Sequence, residues 1–155
     1  MRDFPLPPVG FYFHLTFDGS KTTDIDAAFQ EVSGLTMNID TKEIIQGGEN
    51  SFTYKVPVRA KYENLVLKRG MIPKKSPMAD WVTRTLQNGV IGTIETKNIV
   101  ITLLDENGNA LCTWNFEKAY PIKWEMSGLS AEKSEIIIET LTFSYLYYRK
   151  TIVSV

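Results

Sequence analysis

The stretch TMNIDTKEIIQGGENSFTYKVPVR, residues 36–59, determines how this chain is expected to fold. Two arms, residues 36–45 and 51–59, flank the segment QGGEN, and glycine permits the positive φ that a hairpin tip requires. In each arm apolar and polar side chains alternate with the period of two that a strand imposes. The stretch therefore predicts a β-hairpin whose arms, at about ten residues, exceed the usual strand length of about five or six.

The two sides of this predicted hairpin differ in polarity. One side is expected to carry the polar residues Asn38, Asp40, Lys42, Thr53 and Lys55. The other side is expected to carry the apolar residues Met37, Ile39, Phe52, Tyr54 and Val56, which we expect to pack on the rest of the domain. A hairpin of this length is predicted to extend beyond its own core and to need a neighbour.

The remainder of the chain also reads mainly as strands. They are predicted at residues 9–17, 28–32, 65–67, 98–104, 110–118, 121–126 and 135–148. Asn107-Gly108 predicts a tight turn between two of them. Residues 1–8 contain three prolines and are predicted to form an extended arm. The pattern indicates one domain over residues 1–155, mainly β, an antiparallel sandwich or barrel.

One helix interrupts the strands. Ser76 is a good N-cap, Pro77 suits the first helical position, and Gly89 suits the end. Between them, apolar side chains recur at spacings of three and four, at Met78, Trp81, Val82 and Leu86. This face is predicted to pack on the sheet.

Composition excludes several classes of protein. Apolar residues make up 43% and charged residues 23% of the 155 residues, which is typical of a folded globular chain. Seventeen basic and eighteen acidic residues leave a net charge of −1, without the basic excess of a nucleic-acid-binding surface. The first residues do not resemble a signal peptide, and no apolar run approaches the ~20 residues of a membrane span. We expect a chain made in the cytosol that does not insert into membranes.

No arrangement of residues predicts catalysis or a cofactor. His14 is the only histidine and Cys112 the only cysteine, and their spacing matches no metal-ligand pattern or catalytic triad. Asp24 with Asp26, and Asp105 with its two neighbours, lack the remaining ligands of a calcium loop and are interpreted as solvated turns. Gly47-Gly48 lacks the Lys-Ser/Thr and helix of a phosphate-binding loop.

The basic run from Lys68-Arg69 to Lys74-Lys75 is interpreted as a solvated loop, with contact to an acidic surface of a partner as the alternative. We therefore predict no catalytic, metal or cofactor residues.

Several short segments, in this order and spacing, resemble the tail tube proteins of contractile phages and of extracellular contractile injection systems. They are FYFHL (11–15), FQEVSGL (29–35), GGEN (47–50), YENLVLKRG (62–70), DW (80–81), WNF (114–116), AYPIKW (119–124) and EIIIETL (135–141). The resemblance covers nearly the whole chain.

The resemblance implies a non-enzymatic structural subunit. It implies hexameric rings in which long hairpins join into a β-barrel around a lumen, lined by Asn38, Asp40, Lys42, Thr53 and Lys55. The hairpin tip, Gly47, Gly48, Glu49 and Asn50, is then expected to contact another subunit.

The implied partners are further copies of the chain, the sheath protein, the spike or baseplate hub, and cargo such as a protein toxin or phage DNA. Assembly is expected in the bacterial cytoplasm, in a phage tail or a phage-tail-like particle that is released from the cell. Alternatives are a tube-initiator subunit, a secreted tube protein of the type VI secretion kind and, from another class, a small β-barrel enzyme or ligand-binding module.

Overall fold

A computed structural model describes residues 11–18, 28–45, 47–48, 52–71, 76–132 and 136–153. Its strands are β1 (Tyr12–Phe17), β2 (Ala28–Phe29), β3 (Glu31–Ser33), β4 (Met37–Ile44), β5 (Tyr54–Tyr62), β6 (Leu65–Gly70), β7 (Lys97–Leu104), β8 (Ala110–Met126), β9 (Ile138–Ser144) and β10 (Tyr147–Ile152). The helix α1 (Pro77–Asn88) is followed by a 3-10 turn at Gly89–Ile91. No helix in the described ranges is long and apolar enough to cross a membrane. The fold is mainly β with antiparallel pairing, as predicted.

Two compact units make up the chain. The first, here the barrel unit, comprises Met1–Ser33 and Asn64–Val155, and the second, the hairpin, comprises Gly34–Glu63. In the barrel unit the strands follow the order β2-β1-β7-β8-β9-β6-β3, with β10 also pairing with β8. Only Gln30 separates β2 from β3, and its backbone N–H donates to the Lys68 carbonyl at 3.0 Å. The two ends of the strand path therefore meet, and the sheet closes.

The core of the barrel unit lies inside this closed sheet and is covered by α1, which packs against β8. Trp81 is 1% exposed, and its ring centroid lies 5.8 Å from that of Phe17 and 5.5 Å from that of Phe143. Its indole N–H donates to the Glu95 carbonyl at 2.9 Å, so the polar edge of the ring is satisfied. Met78 and Val82 are also buried. The predicted packing face of the helix is confirmed for these residues, while Leu86 is half-buried.

The ends of α1 follow the sequence signals. The Ser76 hydroxyl accepts a hydrogen bond from the Ala79 N–H at 3.0 Å, and Pro77 occupies the first turn. Gly89 ends the helix with φ of 52°, a conformation that favours glycine. Both predicted boundaries are confirmed.

Several predicted strand boundaries are wrong. Residues 28–32 form two short strands, because β2 pairs with β1 and β3 pairs with β6. Residues 110–126 form one 17-residue strand, β8, whose pairing passes from β10 to β9 close to Lys118, which has a φ of +51°. Conversely, the long strand predicted over 135–148 is broken after Ser144, so that β9 and β10 are separate. Residues 9–10 and 135 lie outside the described ranges.

The basic run is only partly in a loop. Strand β6 continues to Gly70, so Lys68 and Arg69 belong to a strand rather than to the predicted solvated loop. Arg69 is 4% exposed, and its Nε donates to Glu139 Oε2 at 2.9 Å. The other carboxylate oxygen of Glu139 accepts from the Trp124 indole N–H at 2.8 Å. The interpretation of this run as solvated is therefore wrong for Arg69, and residues 72–75 lie outside the described ranges.

Candidate assembly surface

The hairpin is a two-stranded antiparallel ladder of β4 and β5 with one irregularity. Pairing runs from Met37 opposite Tyr62 to Asp40 opposite Arg59, shifts, and continues from Thr41 opposite Pro57 to Ile44 opposite Tyr54. Val58 has no partner, so it forms a β-bulge. We call the part paired before this shift the base half (residues 37–40 and 59–62) and the part beyond it the tip half (41–44 and 54–57).

The register assigns each side chain to one side of the ladder, because directly opposed residues in an antiparallel pair share a side. Face A carries Asn38, Asp40, Lys42 and Ile44 from β4, with Lys61, Arg59, Val56 and Tyr54 from β5. Face B carries Met37, Ile39, Thr41 and Glu43, with Tyr62, Ala60, Pro57 and Lys55. The bulge resets the alternation of β5, so that odd-numbered residues of β5 lie on face A in the base half and on face B in the tip half.

This register separates the five residues expected on one polar side. Asn38, Asp40 and Lys42 do share face A, whereas Lys55 is directly opposite Glu43 and lies on face B. Thr53 precedes β5 and lies outside the ladder. The expectation of a single polar side is therefore wrong for Lys55, because the extra residue Val58 shifts the register. Which face lines a channel stays a prediction.

The charged groups of face A converge on Asp40. Its Oδ2 lies 3.7 Å from both Arg59 Nε and Lys61 Nζ; the two basic side chains are largely exposed, and that of Asp40 is partly so. Exposed ion pairs of this kind contribute only about 0–1 kcal/mol each. With Lys42, face A carries three basic groups and one acidic group, whereas face B carries Glu43 and Lys55. Face A is therefore basic.

Large apolar side chains of the hairpin are exposed on both faces. Relative exposure is 53% for Met37 and 61% for Ile39 on face B, and 45% for Ile44, 49% for Tyr54 and 40% for Val56 on face A. The expected packing of such residues on the rest of the domain stays a prediction. Exposed apolar groups at this density are typical of an interaction surface.

The predicted tip of the hairpin is described only in part. Gly47 and Gly48 form a turn, with a φ of +92° at Gly48 that favours glycine. Space is open around both, because a Cβ at either position would have no atom within 4 Å. Glu49 and Asn50 lie outside the described ranges, and the predicted contact of the tip with another subunit stays a prediction.

Among the residues considered for chemistry, those that the structure describes do not form a metal site. Within the described ranges no three His, Cys, Asp or Glu side chains are grouped to hold a metal. His14 is half-buried on β1 and Cys112 is buried on β8, while Asp24 and Asp26 are not described. Asp105 lies in the β7–β8 turn, where its carboxylate accepts from the backbone N–H groups of Asn109 at 2.8 Å and Asn107 at 2.9 Å. These bonds, that of Asn109 foremost, hold the pKa of Asp105 below its ordinary 3.8, and its interpretation as a turn residue is confirmed.

Solved structures of similar chains come from contractile injection systems. A chain of the anti-feeding prophage baseplate, 6-fold symmetrised, is 29% identical, with a TM-score of 0.81 over 99% of this chain and 100% of that chain. A chain of the extracellular contractile injection system PVC, from its sheath-tube complex in the extended state, is 25% identical, with a TM-score of 0.74 over 97% and 94%. Hcp1 of Salmonella typhimurium shares the fold, with 12% identity and a TM-score of 0.60 over 94% and 88%.

A comparison with curated protein sequences gave no significant match. The family described as T4-like virus tail tube protein gp19 matches residues 9–149, which include the barrel unit from β1 to β9, part of β10 and the entire hairpin. The match extends over nearly the whole chain and includes both compact units. This chain belongs to the T4-like tail tube protein family and is a structural tube subunit.

Proposed function

We propose that this tube subunit assembles into six-membered rings, which stack to form the inner tube of a contractile tail or injection particle. The observation that carries the proposal is the ladder of β4 and β5. In the described part of the chain each of these strands pairs only with the other, and both faces of the ladder expose apolar side chains. An isolated two-stranded hairpin is at best marginally stable in water. Pairing between copies around a closed ring satisfies the open edges.

Face A of the base half, together with Lys42 at its boundary with the tip half, is proposed to line the lumen. Asn38, Asp40 and Lys42, with Arg59 and Lys61, form the polar side of the ladder, and polar groups are the ones that a water-filled channel retains. Lys55 lies on face B and does not belong to this lining. The basic balance of face A favours acidic cargo passing through the channel, while the sheath protein outside and the baseplate hub at one end are the proposed partners of the tube.

Imaging of the purified chain tests the proposal. The protein, alone and together with its baseplate hub, is examined by negative-stain electron microscopy and by light scattering at increasing concentration. Rings with six-fold symmetry, and stacks of them, are expected. A strictly monomeric species at high concentration in the presence of the hub would contradict the proposal.

Labelling of assembled tubes tests the lining. A cysteine at Asn38 on face A is expected to react with a small thiol reagent that enters from the tube ends, and not with a bulky one. A cysteine at Ile39 on face B is the matched control and is expected to be protected from both. Rapid reaction of the Asn38→Cys tube with the bulky reagent would place face A outside.

A second candidate role is the initiator ring between the baseplate and the tube. It is supported by the TM-score of 0.81 to a chain from a baseplate structure, compared with 0.74 to a chain from a sheath-tube complex. Copy number per particle distinguishes the two roles, because an initiator forms a single ring and a tube protein forms many. Quantitative mass spectrometry against the sheath protein measures that ratio.

A further inference from the structure

The apolar side of the hairpin changes at the bulge. In the base half the large apolar side chains, Met37, Ile39 and Tyr62, lie on face B, opposite the charged groups around Asp40. In the tip half the large apolar side chains lie on face A, and face B carries Thr41, Glu43, Pro57 and Lys55. A regular ladder in which Val58 paired with Thr41 would instead place Val56 opposite Glu43, and so put Tyr54 and Val56 on face B. Because Val58 is left out of the pairing, the two halves have opposite apolar sides.

The apolar side chains beyond the bulge form a continuous group, here the tip cluster, of Ile44, Phe52, Tyr54 and Val56. Tyr54 is directly opposite Ile44, and the rings of Phe52 and Tyr54 meet edge to face with their centroids 5.2 Å apart. All four side chains are between 40% and 56% exposed. Aromatic and branched side chains grouped in this way are typical of the centre of a protein interface, where they are covered on assembly.

We infer that the tip cluster docks on a second copy of this chain, so that the assembled hairpin is covered on face B in its base half and on face A in its tip half. The inference rests on the proposed ring assembly and specifies which side of the hairpin each contact uses. Lys42, on face A just beyond the bulge, lies at the boundary, where its aliphatic stem borders the cluster and its ammonium group stays in water.

The open edges of the ladder favour a second copy as the occupant. Among the described strands, β4 and β5 pair only with each other, so the outer edge of each is not paired with another described strand. Pairing with the same hairpin of a neighbouring copy continues the ladder and brings that copy next to the tip cluster. Nucleic acid is not favoured, because the cluster itself contains no basic group. The polar groups on face B of the tip half suit contact with water.

A one-residue insertion tests the inference. Alanine inserted between Asp40 and Thr41 provides a partner for Val58, converts the bulge into regular pairing and transfers the tip cluster to face B. We expect the concentration at which half of the chain assembles to rise at least about tenfold, because each side chain left uncovered loses about 1.5–3 kcal/mol, or roughly a factor of ten or more. Assembly at the wild-type concentration would overturn the inference.

Deletion of Val58 is the matched control, since it also removes the bulge but keeps Ile44, Tyr54 and Val56 on face A. The deletion variant is expected to assemble within about threefold of the wild-type concentration, because the cluster keeps its side. If it were as defective as the insertion variant, the local bend and not the side of the cluster would decide assembly, and the inference would be wrong.

A pair of point variants keeps the test independent of the backbone changes. Tyr54→Ser on face A is expected to impair ring formation about tenfold, whereas Glu43→Ser on face B of the same half is expected to leave it unchanged. Normal rings of Tyr54→Ser that fail to bind the sheath protein would identify the sheath as the occupant and overturn the inference. If the wild-type chain formed no rings with its hub, the proposed function itself would be refuted. The wild-type protein alone suffices for that test.

Discussion

The strands of the barrel unit bury apolar side chains, whereas those of the hairpin leave them exposed. In β9 of the barrel unit every second residue is buried, and Phe143 is fully so. In β4 of the hairpin no residue is buried. The charges differ in the same way, since Arg69 and Glu139 are buried 2.9 Å apart, whereas Asp40 meets its basic partners at 3.7 Å in solvent. The barrel unit is thus stabilised by its own core, and the hairpin depends on what covers it.

The largest change in the free energy of unfolding is expected when a core side chain of the barrel unit is removed. Trp81→Ala is expected to lower the free energy of unfolding of the dissociated subunit by about 3–5 kcal/mol, because it leaves a cavity between Phe17 and Phe143. Ile39→Ala, at a hairpin residue that is 61% exposed, is expected to change it by no more than about 0.5 kcal/mol. Urea unfolding measures both. A loss below about 1 kcal/mol for Trp81→Ala would mean that α1 does not cover the core.

Two carboxylates provide the next comparison. Glu139→Gln removes the carboxylate charge that lies 2.9 Å from the buried Arg69 guanidinium, and we expect a loss of about 3 kcal/mol. Asp40→Asn removes the carboxylate from an exposed cluster and is expected to cost less than about 1 kcal/mol. Combining Glu139→Leu with Arg69→Met is expected to recover most of the loss, since both charges of this pair are then removed. Equal effects of the two single variants would refute the distinction between buried and exposed ion pairs.

A smaller effect is expected at the start of α1. Ser76→Ala removes the acceptor of the Ala79 N–H and is expected to cost about 1 kcal/mol in the free energy of unfolding. Ser76→Asp keeps an acceptor and is expected to retain most of that stability. If alanine and aspartate behaved alike, the cap would contribute nothing to the barrel unit.

The smallest effect concerns pH. Because hydrogen bonds lower the pKa of folded Asp105 below 3.8, ionised Asp105 stabilises the folded state above that value, and this contribution is lost as the pH falls through the folded pKa. Asp105→Asn replaces this carboxyl with an amide, which does not ionise. The difference in unfolding free energy between wild type and variant is therefore expected to shrink between about pH 6 and about pH 2. A difference that does not vary with pH would contradict this assignment.

The sequence predicts those parts of the fold in which neighbouring residues determine the structure. Ser76, Pro77 and Gly89 set the helix ends through local hydrogen bonds and backbone conformation, and Asn107-Gly108 sets the β7–β8 turn in the same way. The break between β9 and β10 and the fusion of two predicted segments into β8 depend on which strands lie alongside, which no local pattern reports.

The candidate surface shows the same limit more sharply. The alternation of β4 correctly groups Asn38, Asp40 and Lys42, because that strand is regular. The face of Lys55 is predicted wrongly, because the unpaired Val58 exchanges the faces on which odd- and even-numbered residues of β5 lie in the tip half. Valine is also common in regular strands, so residue type does not reveal this irregularity. Arg59 and Lys61 were not predicted as neighbours of Asp40 for the same reason: cross-strand register is a property of the pair. The Tyr54–Pro57 stretch ends at a proline, which is often found at bulges and is the only local signal that could have indicated the irregularity.

The closed sheet of the barrel unit also determines when the chain can fold during its synthesis. Strand β1 pairs with β7, and Asp18 receives a hydrogen bond from Asn98, 80 residues further along. At about 5–20 residues per second, the ribosome needs roughly 4–16 seconds to deliver that partner. The hairpin pairs residues close in sequence, so we expect it to form much earlier. Each nascent chain therefore presents its hairpin, with the apolar side chains uncovered, before its own core exists, and neighbouring chains on one messenger RNA have time to meet there first.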